Sequence, residues 1–73
     1  MAYFKDVVGD EVTLYPGQEI FVVPFDGSRE YRAQVISVWP EDNEVTVIDL
    51  GRTYARTIRV GEVEIYTDEG SGS

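Results

Sequence analysis

Few residues in this chain could carry out a reaction. Histidine and cysteine are both absent, which removes imidazole bases, thiolate nucleophiles and the zinc sites those residues build. What remains is one lysine, Lys5, the serines Ser28 and Ser37 with two more in the terminal Gly-Ser stretch, and neighbouring carboxylates such as Glu62 and Glu64. Two carboxylates divide into acid and base only where their environments separate their pKa values, and a chain this short has no deep cleft to do so. No Gly-rich phosphate loop is present. Glu41, Asp42 and Glu44 crowd one turn and offer oxygen ligands, but not at the spacing of a calcium-binding hand. That turn reads first as a solvated surface, with a receptor for a basic peptide as the other reading. The residue types point to a non-catalytic chain with no cofactor and no metal.

The residues better suited to recognition are aromatic. Ring faces attract poorly hydrated cations, and aromatic anchors carry much of the energy of protein interfaces. Phe25 and Tyr31 either line a binding face or pack in the core and rim. Trp39, the single tryptophan, precedes Pro40 at a strand end, as an exposed anchor or as a buried cap on one end of the fold. Asp49 either anchors a ligand's guanidinium or fixes its own turn by accepting backbone N–H groups. Arg52 pairs with an acidic partner or with a surface carboxylate, and the second is worth little.

The charge balance narrows the partners. Fourteen acids against six bases leave a formal net charge of −8, and nucleic-acid binding draws its affinity from cations facing phosphates. Direct nucleic-acid binding is therefore disfavoured, while a protein partner or an Arg-rich peptide fits. The acids could also serve solubility alone, or imitate nucleic acid in the basic groove of an enzyme.

These residues must be positioned by strands. With 73 residues the chain holds one domain, near the lower limit for a core without disulfides or metal. Val, Ile, Tyr, Phe and Thr favour strands, and no apolar run is long enough to span a bilayer. Nor does a signal peptide open the chain, so a place inside the cell is expected, and the chain is read as a monomer. Residues 1–16 form a lead-in, either a short helical turn placing Phe4, Val7 and Val8 together or an additional strand. Strands are expected at 18–25, 30–39, 44–50, 53–60 and 62–66, with Ala55, Ile58 and Val60 available for packing. They are separated by the turn signals Asp26-Gly27-Ser28, Pro40-Glu41-Asp42-Asn43, Gly51 and Gly61. Pro24 cannot donate to a ladder, so it belongs at a strand end or an edge. Five short strands without a covering helix bury one face by curling. The expected fold is all-β, a small, strongly bent five-stranded antiparallel barrel over 17–67. Residues 68–73 read as a disordered acidic, Gly-Ser tail. The clean turns and that tail would also suit an engineered barrel without a biological ligand.

Asp26-Gly27, then Tyr31-Arg32-Ala33-x-Val35, then Val45-x-Val47-Ile48-Asp49-Leu50-Gly51 resembles a Tudor domain over about residues 17–66. The family pattern is a D-G turn, an aromatic before Y-R-A-x-V, and V-x-F-x-D-Y-G-N; Val60-Gly61-Glu62-Val63 corresponds to the turn before its last strand. The resemblance implies a barrel of the Tudor or Src-homology-three type whose aromatic cage reads methylated arginine or lysine. Tyr31, with Phe25 or a neighbour, supplies rings. Leu50 stands where the family has tyrosine, Arg52 where it has asparagine, and Val47 at a position often aromatic. Each ring on a desolvated cation contributes about 1–2 kcal/mol, so two missing rings weaken binding roughly a hundredfold unless Tyr54 or Tyr66 substitutes. The expectation is a protein-interaction module binding a peptide or partner domain through Phe25, Tyr31, Val47, Asp49, Leu50, Arg52 and Tyr54. Reading of methylated or unmodified arginine tails is the alternative.

Overall fold

A computed structural model describes residues 2–67. It is all-β: seven strands and two 3-10 turns, with no α-helix among the described residues. β1 (Ala2–Lys5) and β2 (Glu11–Leu14) pair as an antiparallel hairpin. β3 (Glu19–Pro24), β4 (Tyr31–Trp39), β5 (Glu44–Asp49), β6 (Tyr54–Arg59) and β7 (Val63–Thr67) form a second antiparallel sheet in the order β6-β5-β4-β3-β7. The final strand thus returns to lie beside the first strand of that sheet. Among the described residues no ladder joins β6 to β7, so hydrogen bonding does not close the sheet. No helix among those residues is long and apolar enough to cross a membrane. The proposed tail at 68–73 lies outside the described residues.

The lead-in, for which the sequence left a helical turn and a strand open, is this β1–β2 hairpin. Asp6 organises its loop: its buried carboxylate accepts the N–H groups of Val8 at 3.1 Å and Asp10 at 2.9 Å. Gly9 supplies the left-handed residue, with φ of 89°, which a side chain would resist. Val7 and Val8 are exposed, whereas Phe4 and Leu14 are buried. Asn43 fastens the hairpin to the larger sheet. Its side chain accepts from Lys5 N at 3.3 Å and donates to Lys5 O at 3.1 Å, as a strand neighbour would. Asn43 follows the 3-10 turn Pro40–Asp42 and holds φ of 55°, a conformation asparagine tolerates better than most residues.

Alternation along the strands assembles the core. Ile20 and Val22 of β3, Ala33 and Val35 of β4, Val45 and Val47 of β5, and Val63 and Ile65 of β7 are buried with Phe4 and Leu14. Each fully buried large side chain stabilises by about 1.5–3 kcal/mol. Pro24 ends β3 and pairs only on the β7 side, where its missing N–H costs least. The register of β4 on β5 slips between Val35 and Ser37, a bulge that reverses which residues face inward. Past it Val38 packs on the core and Trp39 turns out, 45 % exposed. Trp39 therefore does not cap the fold. Its indole N–H donates to Thr46 Oγ1 at 3.0 Å, and Phe4 fills the interior instead.

Candidate functional site

The inward faces of β4, β5 and β6 change character along their length. Cross-strand partners sit on the same face, and successive pairs on β5 and β6 run Val45 with Ile58, Val47 with Arg56, and Asp49 with Tyr54. An arginine, a carboxylate and a tyrosine thus stand where the next layer of core would be. Tyr31, first residue of β4, adds a half-buried ring to the same face.

These four side chains form one unit. The Arg56 guanidinium carbon lies 4.8 Å from the centre of the Tyr31 ring and 5.3 Å from that of Tyr54. Its Nη2 donates to the Tyr54 hydroxyl at 2.9 Å and lies 3.6 Å from Asp49 Oδ2. Asp49 also shapes the loop it begins: Oδ1 accepts Gly51 N at 2.9 Å and Arg52 N at 3.2 Å. Of the two roles open to Asp49 from sequence, Oδ1 fills that of fixing the turn, and the guanidinium beside Oδ2 is the chain's own Arg56 rather than a ligand's. Thr53 completes the reversal with φ of 59°, its N–H bonded to Asp49 O at 2.6 Å. Burial of Tyr31 raises its pKa above the ordinary 10.0, the nearby Arg56 charge opposing that rise and Asp49 adding to it.

A groove of about 790 Å³ opens over this unit. Tyr31, Asp49, Arg52, Tyr54 and Arg56 line it, together with Arg59, Glu62 and Val63. The loop between β3 and β4 also lines it through Asp26, Ser28, Arg29 and Glu30. That loop is longer than a tight hairpin. Asp26 accepts Ser28 N at 2.9 Å and Gly27 takes φ of 92°, and the hydrogen bonds from Ser28 hold the Asp26 carboxyl below its ordinary pKa.

Of the seven residues expected at a binding face, Tyr31, Asp49, Arg52 and Tyr54 meet here. Phe25 and Leu50 are exposed but lie outside the groove lining. Val47 is fully buried and absent from the groove lining, although its cross-strand partner Arg56 belongs to it. Ala55 is exposed rather than packed, since it faces away from Ile58's side of β6. Arg56 was not expected. Counting back by twos from Ile58 places Arg56 and Tyr54 on the core face, a signal the sequence does contain. Elsewhere no group of three or more carboxylates able to hold a metal occurs among the described residues.

Compared with protein-family models, with curated proteins and with solved structures, the chain finds no match.

Proposed function

We propose that this chain is a non-catalytic protein-interaction module, a small Tudor-like barrel that binds a peptide or partner domain along the β6 groove. The Tudor resemblance is supported by position. Tyr31 of the Y-R-A-x-V segment begins β4, Asp49 of D-L-G ends β5, and a 3-10 turn at Val60–Glu62 precedes the last strand. The strand order that returns β7 to β3 suits a barrel.

The observation that carries the reading is the place of the Arg56 guanidinium, over the Tyr31 and Tyr54 rings and beside a carboxylate. A cage for a partner's methylated arginine needs that slot, and here the chain's own arginine fills it. Displacing Arg56 would forfeit two ring contacts worth about 0.5–1 kcal/mol each and leave Asp49 half-paired. The open groove beside the slot, rather than the slot itself, is then the recognition surface. It has polar walls of both signs and aromatic edges, a make-up common at transient interfaces.

Two measurements test this. Peptides selected for binding to the wild-type chain should lose most of their affinity when Tyr54 and Arg52 are replaced by Ser and Glu in a folded variant; unchanged affinity would place recognition elsewhere. Titration with symmetric dimethylarginine, free arginine and an Arg-Gly peptide should leave the Tyr31 and Tyr54 signals in place. Saturable, methyl-dependent shifts there would hand the function to the arginine-reader alternative.

A further inference from the structure

We infer that the partner of this groove is acidic: a carboxylate-rich segment of another protein, held by Arg52, Arg29 and the exposed part of the Arg56 side chain. The inference rests on the interaction-module reading and adds the sign of the partner, opposite to what the net charge of −8 suggests.

Four of the chain's six cationic residues, Arg29, Arg52, Arg56 and Arg59, line this one groove. Its acids are Asp26, Glu30, Asp49 and Glu62, and three of them are engaged. Asp26 holds Ser28 N, Asp49 holds two loop amides and faces Arg56, and Glu62 lies 3.4 Å from Arg59. Among the described residues Arg29 and Arg52 form no ion pair. The uncommitted groups are therefore two guanidinium ions against one carboxylate, Glu30.

Arg56 adds a third donor. Its Nε is buried and no protein acceptor reaches it, although Nη2 is well engaged. That Nε is out of a partner's reach, so the donors a partner can meet lie on the part of the side chain that stays exposed, held in place by the two tyrosines and Asp49. Arginine's planar fork suits a carboxylate held through two N–H groups, and positioning in advance lowers the ordering cost of binding. The chain's overall negative charge opposes this weakly, because charges farther apart than about 8 Å are screened at physiological salt. Local pairs decide the sign.

The test uses the full chain, nitrogen-labelled and followed at backbone amides and at arginine Nε–H groups. Three peptides of equal length are titrated: one rich in Asp and Glu, its Asn and Gln counterpart, and one rich in Lys and Arg. The acidic peptide alone should give saturable shifts at the Nε–H groups of Arg29, Arg52 and Arg56. Arg32, which pairs with Glu19 outside this groove, should stay unmoved. Arg52→Gln and Arg29→Gln should each weaken binding roughly fivefold, as loss of an exposed charge pair does. Arg56→Lys, which keeps the charge but removes the fork, should weaken it further, with the amide spectrum confirming the fold. Equal movement of Arg32 would mean unspecific charge pairing and overturn the inference. Binding of the uncharged or basic peptide in the same groove would also overturn it while leaving the module reading intact. Absence of any shift with the acidic peptide at millimolar concentration would overturn it outright.

Discussion

The two ends of the sheet's inward face solve opposite problems. Toward Asn43 the layer is Val38, Val45 and Ile58, and the β1–β2 hairpin closes over it with Phe4 and Leu14. Asp6, Gln18 and Asn43 there satisfy loop and strand amides, Gln18 accepting from Tyr15 N at 3.2 Å and donating to Thr13 O at 3.3 Å. Toward Asp49 no segment among the described residues pairs over the face, and its last layer is Tyr31, Asp49, Tyr54 and Arg56. Where a second layer of chain excludes water, apolar side chains suffice. Where it does not, the inward positions hold rings and charges that satisfy one another and still meet solvent. One end holds the fold together, and the other leaves rings and charges open to solvent, the surface we propose for recognition.

The largest test of that division is at the closed end. Phe4→Ala should destabilise by about 3–5 kcal/mol, read by urea unfolding, while the Arg56 side-chain signal stays as in the wild type. A loss under about 1 kcal/mol, the level of a surface change, would mean that the hairpin is not part of the core. Asn43→Ala should cost about 2 kcal/mol, from two lost hydrogen bonds and the left-handed backbone. Asn43→Gly keeps the backbone and should cost clearly less, and equal losses would remove the conformational part of that account.

At the open end the effects shrink. Asp49→Ala should cost about 2 kcal/mol and Asp49→Asn about 1, because asparagine can still accept the Gly51 and Arg52 amides. Arg56→Ala should cost about 1–2 kcal/mol, two ring contacts plus a partly exposed ion pair. The smallest effect is electrostatic. Tyr31 has a folded pKa above its ordinary 10.0, so its contribution is complete below pH 10 and is lost as pH rises through the folded value. Removing the Arg56 charge removes the influence that lowers this pKa, and ultraviolet titration of Arg56→Ala should show Tyr31 ionising higher still. Movement downward would contradict the pairing.

Much of the closed half was legible in the sequence. The strands from Glu19 to Thr67 follow from alternation and from Pro, Gly and Asn punctuation, and they lie close to their expected bounds. The hairpin was less legible because β1 and β2 are four residues each, too short for period two to be told from period 3.6. Trp39 was hidden by the bulge, an insertion in register that no residue type announces. At the open end Tyr31, Asp49 and Tyr54 were visible as chemistry. Arg56 was missed because arginine on a strand reads as a solvent-facing residue. Only its place in the Tyr54–Arg56–Ile58 column puts it inside, and only the tertiary fold brings Tyr31 to cover it.

The most direct test of the account is a nuclear Overhauser measurement on the free, full-length chain. Contacts from the Arg56 side-chain protons to the rings of both Tyr31 and Tyr54, with ring-current displacement of those protons lost in Tyr31→Leu, are the predicted result. An Arg56 side chain with random-coil shifts and no contact to either ring would contradict it, because the slot would then stand open to a partner's cation.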